Sequence, residues 1–87
     1  MKIQMKKFGE LLLSRPAGRE AFLAASAYLS FPPPGEAIEL DFEGVKVLAP
    51  SWADEFISGL KKKLTNPIKI LPTHNPSVIE SLKTING

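Results

Sequence analysis

Three short stretches of this chain alternate apolar and polar residues, and each is followed by a stretch with helical spacing. That order restricts the fold more than any other feature of the sequence. Ile3 and Met5 alternate with Lys2, Gln4 and Lys6; Ile38, Leu40 and Phe42 alternate with Glu39 and Asp41; Ile68-Lys69-Ile70-Leu71 is the third stretch. A period of two gives each one apolar face, as in a half-buried strand. The first is followed by Ala21, Phe22, Ala25, Tyr28 and Leu29 at helical spacing. The second is followed by Ala53, Phe56, Ile57, Leu60 and Leu64, and the third by Val78, Ile79, Leu82 and Ile85. Each set forms an apolar stripe on a helix. Glu10-Leu11-Leu12-Leu13 is too short a run to separate strand from helix by period. It reads as a second strand, pairing back as a hairpin through the Phe8-Gly9 turn. Strands alternating with helices imply parallel pairs and right-handed crossovers. The expected fold is α/β: a two-layer domain with about a four-stranded mixed sheet and three helices mainly on one face.

Prolines and caps mark the element ends. Ser14-Arg15-Pro16-Ala17-Gly18-Arg19-Glu20 reads as a helix entrance, with Pro16 in the first turn, where its missing N–H is not needed. Gly18 is a poor helix former, which points to a close backbone approach. Phe31-Pro32-Pro33-Pro34-Gly35 cannot continue a helix and forms a stiff loop. Ser51 followed by Asp54 matches a capping box, so the second helix is expected to start with Ser51 as N-cap. Lys61-Lys62-Lys63 falls in that helix's last turn, where cations complement the dipole. Asn66-Pro67 closes it, and Asn75-Pro76-Ser77 opens the third helix.

At 87 residues this is one domain, spanning 1–87, with a thin core. A hydrophobic fraction of 44% beside 23% charged residues is globular composition and argues against disorder. The absence of cysteine excludes a disulfide scaffold, a thiolate zinc site and a cysteine nucleophile, and fits a reducing compartment. Met1 to Lys7 lacks the apolar core of a signal peptide, and no apolar run approaches the ~18 residues of a membrane span. A cytoplasmic protein without membrane contact is therefore expected. The net charge of +2 is uneven: residues 1–35 carry five Lys/Arg against two acids, residues 36–60 one Lys against six acids, and residues 61–87 five Lys against one acid. An acidic centre is unlike a basic nucleic-acid binder. It fits solvated faces or a protein-binding surface of both signs.

Catalysis has little to stand on. His74 is the one histidine, and no base is placed by the sequence to activate Ser51. One histidine without cysteine is poor metal-site material, and Asp41, Glu43, Asp54 and Glu55 have no recognised metal-loop spacing. No phosphate-binding glycine loop is present. The expectation is therefore no enzyme, no cofactor and no metal.

Asp41-Phe42-Glu43-Gly44-Val45 leading to Ser51-Trp52-Ala53-Asp54-Glu55 resembles the STAS family, which includes bacterial anti-sigma-factor antagonists. The chain is similar more closely to the STAS-like family of unknown function DUF4325. There an Arg-x-x-Gly-Arg-Glu entrance, matched by Arg15 to Glu20, precedes the first helix, and an Asn-x-x-Val helix, matched by Asn75 to Val78, follows the last strand. The antagonists carry Asp-Ser-Ser-Gly where this chain has Ala49-Pro50-Ser51-Trp52, so one hydroxyl survives and the preceding acid is absent. In them a serine of this loop is phosphorylated, which switches partner binding off. The resemblance implies a regulatory, protein-binding module of a bacterium-like cell, with a histidine-kinase-type ATPase or anti-sigma factor as partner and Ser51 as candidate phosphosite. The expected contact residues are Pro50, Ser51, Trp52, Asp54 and Glu55, with Arg15 and Arg19 nearby. Trp52 is expected either as part of the core or as an exposed anchor. Two alternatives stand beside this: a nucleotide- or anion-binding module using Arg15 and Arg19 at a helix N-terminus, and a structural subunit acting through self-association as a homo-oligomer.

Overall fold

The structure, a computed structural model, describes residues 1–86. Strand β1 (Lys2–Gln4) runs into a 3-10 turn at Met5–Phe8 and then β2 (Leu11–Leu12). Helix α1 (Arg15–Tyr28) follows, then β3 (Ile38–Asp41), β4 (Val47–Leu48), α2 (Pro50–Lys63), β5 (Ile68–Ile70) and α3 (Pro76–Asn86). Strands β1, β3 and β5 form a sheet with β3 in the centre, and β2 pairs with β4 in a second patch. Every pair is parallel.

This corrects the expectation of a four-stranded mixed sheet. Leu11–Leu12 is a strand but does not fold back on β1; Leu11 pairs with Val47 and Leu12 with Leu48. The physical reason is that Met5–Phe8 coils into a 3-10 turn without reversing the chain. The chain leaves β1 and enters β2 in the same direction, and β3 and β4 do likewise across Phe42 to Lys46. Each broken strand therefore meets the other in parallel.

The alternation sorts side chains as expected. Ile3, Ile38 and Leu40 are buried, while Lys2, Gln4 and Lys69 on the other face are exposed. The helices supply the second layer. Trp52, Ala53, Phe56, Ile57 and Leu60 of α2 join Ala21 and Ala25 of α1 and Val78 and Leu82 of α3 in one core. Trp52 stacks on Phe56 with ring centroids 5.3 Å apart and 14° between planes, and Phe8 closes the cluster 5.3 Å from Phe56. Burying a side chain of this size contributes roughly 1.5–3 kcal/mol. Tyr28 departs from its expected stripe and is 87% exposed, while Ala25 and Leu29 beside it pack on the core.

Small residues bring α1 against α2. A Cβ built on Gly18 would lie 2.5 Å from the Trp52 carbonyl oxygen, and one on Gly59 would lie 2.7 Å from the Phe22 ring. The suspicion raised by Gly18 was therefore correct in kind: the helix tolerates glycine here because only a bare Cα fits.

Side-chain amides and hydroxyls hold the irregular segments. Asn66 is buried and donates to the carbonyls of Pro33 (2.8 Å), Glu36 (2.9 Å) and, more weakly, Pro32 (3.4 Å), pinning the proline loop. Prolines have no N–H, so such a loop can be tied down only through its carbonyls. Asn75 donates to Val45 and Lys46 carbonyls and accepts from the Ser77 N–H, joining the start of α3 to the β3–β4 turn. At β4, Ser77 takes the Leu48 N–H at 3.0 Å, and Ser77 and Ser81 both donate to the Leu48 carbonyl. Helix α3 thereby satisfies a strand edge that has no further strand beside it.

Candidate functional site

Arg15, Asp54 and Glu55, distant in sequence, meet on one exposed surface. Arg15 opens α1, whose N-cap is Ser14: its hydroxyl oxygen accepts the Ala17 N–H at 3.1 Å. The close α1–α2 approach at Gly18 brings the first turns of both helices side by side. Arg15 Nη1 then donates to Asp54 Oδ2 at 3.0 Å and to Glu55 Oε2 at 2.8 Å. Asp54 also accepts from the Ser58 hydroxyl, one helical turn on. The side chains of Arg15 and Asp54 are 53% and 42% exposed, so a partner can reach the cluster. The hydrogen bond from Arg15, followed by that from Ser58, holds the Asp54 carboxyl below its ordinary range. The same bonds to Asp54 and Glu55 raise the Arg15 guanidinium.

Ser51 lies one turn before this cluster. The capping expectation is corrected here: α2 starts at Pro50 with Ala49 as N-cap, and no side chain caps it. Pro50 fixes the first helical φ and needs no N–H partner, which moves the start two residues earlier and places Ser51 inside the first turn. Its hydroxyl donates to the Leu13 carbonyl at a long 3.4 Å. Ser51 is half-buried, Pro50 exposed.

Trp52 does not belong to the surface. It is 2% exposed, packed between Gly18 and Phe56. The side chains at positions 52 and 54 leave the helix on different faces, and Trp52 points inward with Ala53 and Phe56. Of the two expectations for Trp52, core and exposed anchor, the structure takes the core, so Trp52 leaves the set of contact residues and sets where α1 meets α2. Arg19 is exposed one helical turn after Arg15. It lines a shallow groove with Phe22, Leu23, Glu55, Ser58, Gly59 and Lys62. Glu55 borders both arginines, accepting from Arg15 and lining the groove with Arg19, and Arg15 is held by two carboxylates.

Two features escaped sequence reasoning. Leu11, Leu13 and Val47 are 59%, 50% and 40% exposed, beside the Ser51–Leu13 contact. The register places Leu11 next to Val47 on the outer face. Their alternation with buried Leu12 was the available signal, but a run of three leucines hides it. The second feature is a polar rim where the three parallel strands end. Gln4 at the end of β1 and Lys6 beyond it, Asp41 at the end of β3 and Glu43 beyond it, and Thr73 and His74 after β5 line two adjoining hollows of about 370 and 270 Å³. Asp41 and Glu43 lie far from His74 in the chain, and only parallel pairing puts all three at one end. Among the described residues no group of His, Cys, Asp or Glu has the arrangement of a metal site. No helix among them is long and apolar enough to cross a membrane.

A family model described as a STAS-like domain of unknown function (DUF4325) matches residues 25–86. The matched span holds Asp41 to Val45, the start of α2 and the Asn75 helix, whereas Arg15 to Glu20 precede it. Neither curated proteins nor solved structures give a significant match.

Proposed function

The chain belongs to the DUF4325 family of STAS-like domains, and from that premise we propose that it is a non-catalytic regulatory module that docks on a partner protein. The docking surface is the start of α2 with the turn that faces it: Pro50, Ser51, Asp54, Glu55 and Arg15. The observation that carries the reading is the exposed ion-pair cluster of Arg15 with both Asp54 and Glu55, one helical turn from Ser51. Ser51, Asp54 and Glu55 are three and four residues apart and so share a helix face. A phosphate on Ser51 would place negative charge beside two carboxylates and compete with them for Arg15. It would also sit at the positive end of α2. One modification then changes the charge pattern of the whole surface while leaving the core alone. By likeness to anti-sigma-factor antagonists, the partner is a histidine-kinase-type ATPase or an anti-sigma factor.

The test is an affinity capture from native lysate with and without ATP, with intact mass measured on the recovered chain. Recovery of an ATPase that depends on ATP, and that is lost with Arg15→Ala or Ser51→Glu while circular dichroism is unchanged, is the expected result. An ATPase captured equally by wild type, Arg15→Ala and Asp54→Ala would remove this surface from consideration. A chain that gains the mass of one phosphate in wild type but not in Ser51→Ala would identify the switch.

A further inference from the structure

We propose that the free edge of β2 is a self-pairing site, at which two copies of this chain join antiparallel about a twofold axis at Leu12, with Leu11 of each copy opposite Leu13 of the other. The edge adjoins the partner surface on α2, since Ser51 donates to the Leu13 carbonyl, but its substitutions fall at Leu11 and Leu13, outside that surface.

Strand β2 has a neighbour on one side only. The Glu10 carbonyl accepts from the Lys46 and Val47 N–H groups at 2.8 and 3.2 Å, and the Leu12 carbonyl accepts from Ala49 at 2.8 Å. Backbone groups of successive strand residues point to opposite sides. The N–H and C=O groups of Leu11 and Leu13 are therefore directed away from β4. The single side-chain contact there is the long 3.4 Å bond from Ser51 to the Leu13 carbonyl, which keeps a second lone pair. Leu11 and Leu13 are 59% and 50% exposed. An open edge carrying bare leucines is what native sheets avoid unless a strand is added to it.

The edge is complementary to itself. In an antiparallel pairing centred on Leu12, each Leu11–Leu13 pair exchanges N–H···O=C bonds in both directions, because both residues present their backbone groups outward. The leucine side chains of the two copies then pack cross-strand on the same outer face. A twofold arrangement satisfies both edges at once and closes, leaving no open end to propagate. Charge agrees with this register. Glu10, paired with Lys46 of its own copy, falls opposite the neutral Ser14 and next to Arg15 of the other copy, so no like charges meet. The strand is short, so the contact is small and the dimer concentration-dependent, not obligate.

Sedimentation equilibrium across a concentration series tests it. The expected result is a mass rising from the 9.5 kDa of one chain towards twice that value. Leu11→Lys alone and Leu13→Lys alone should each remain monomeric with unchanged circular dichroism. Mixing the Leu11→Lys chain with a Leu13→Glu chain should restore the dimer, because position 11 of one copy faces position 13 of the other. A single-chain mass throughout the series overturns the proposal. So does a wild-type dimer that Leu11→Lys leaves intact, or a mixture that fails to recover it while both variants remain folded.

Discussion

Gly18 approaches Trp52 so closely that a Cβ at position 18 would fall 2.5 Å from the Trp52 carbonyl oxygen and 3.0 Å from its Cα. Both obstacles are backbone, so neither can swing aside. Gly18→Ala gains about 1 kcal/mol in helix propensity, but the overpacking costs typically 1–3 kcal/mol or more. A net loss is expected in urea denaturation. Gly59→Ala meets the Phe22 ring, a half-buried side chain with room to rotate. It should cost less than Gly18→Ala, and the reverse order would contradict the packing described.

Ser14 and Ser51 both stand at helix starts, but only Ser14 caps one, and Ser51 lies inside the first turn of α2. Ser14→Ala should lower stability by about 1 kcal/mol, the usual value for a lost N-cap. Ser51→Ala should change stability by a few tenths of a kcal/mol, since its one bond is long and at the surface. Chemical denaturation of the two variants side by side separates these roles.

Asp54 gives the acid limb of stability a defined sign. Its folded carboxyl titrates below the ordinary range, chiefly through the hydrogen bond from Arg15. Such a group contributes stability that is present above its unfolded value of about 3.9 and is lost as pH falls through the lower folded value. Asp54→Asn should therefore flatten the stability profile below about pH 4. Arg15→Gln should return Asp54 towards its ordinary titration, read by carboxyl carbon shifts. An unchanged Asp54 titration in Arg15→Gln would show that the ion pair does not persist in solution.

Asn66 holds the proline loop through its buried amide. Asn66→Ala leaves the Pro33 and Glu36 carbonyls without that donor. Loss of about 1–3 kcal/mol is expected where the acceptors stay dry. Backbone amide exchange at Gly35 and Glu36 should accelerate with it, because Asn66 ties this loop to the end of α2.

Much of the fold is legible in the chain itself. The alternation at Ile38, Leu40 and Phe42, the helical stripes and the proline stops are local signals, and steric and hydrophobic rules act on them over a few residues. Gly18 was legible too, as a helix position with an unexplained lack of side chain. Residues near the eventual surface, Arg15, Asp54 and Glu55, could be picked out from their places at two helix starts. Other decisions required the assembled molecule. Whether Leu11–Leu12 folds back on β1 or runs on beside β4 depends on a turn at Met5–Phe8 that carries no strong turn residue until Gly9. Whether Trp52 faces a partner or the core depends on where α1 comes to rest, and Gly18 lets it rest on the Trp52 backbone. The meeting of Arg15 with Asp54 and Glu55 spans about forty positions of chain, and Asp41, Glu43 and His74 likewise come to the strand ends from distant segments. Sequence patterns report which side of an element is apolar. Only packing decides which elements those sides meet, because the same stripe is satisfied by any apolar neighbour and the choice is made by the shape of the whole core.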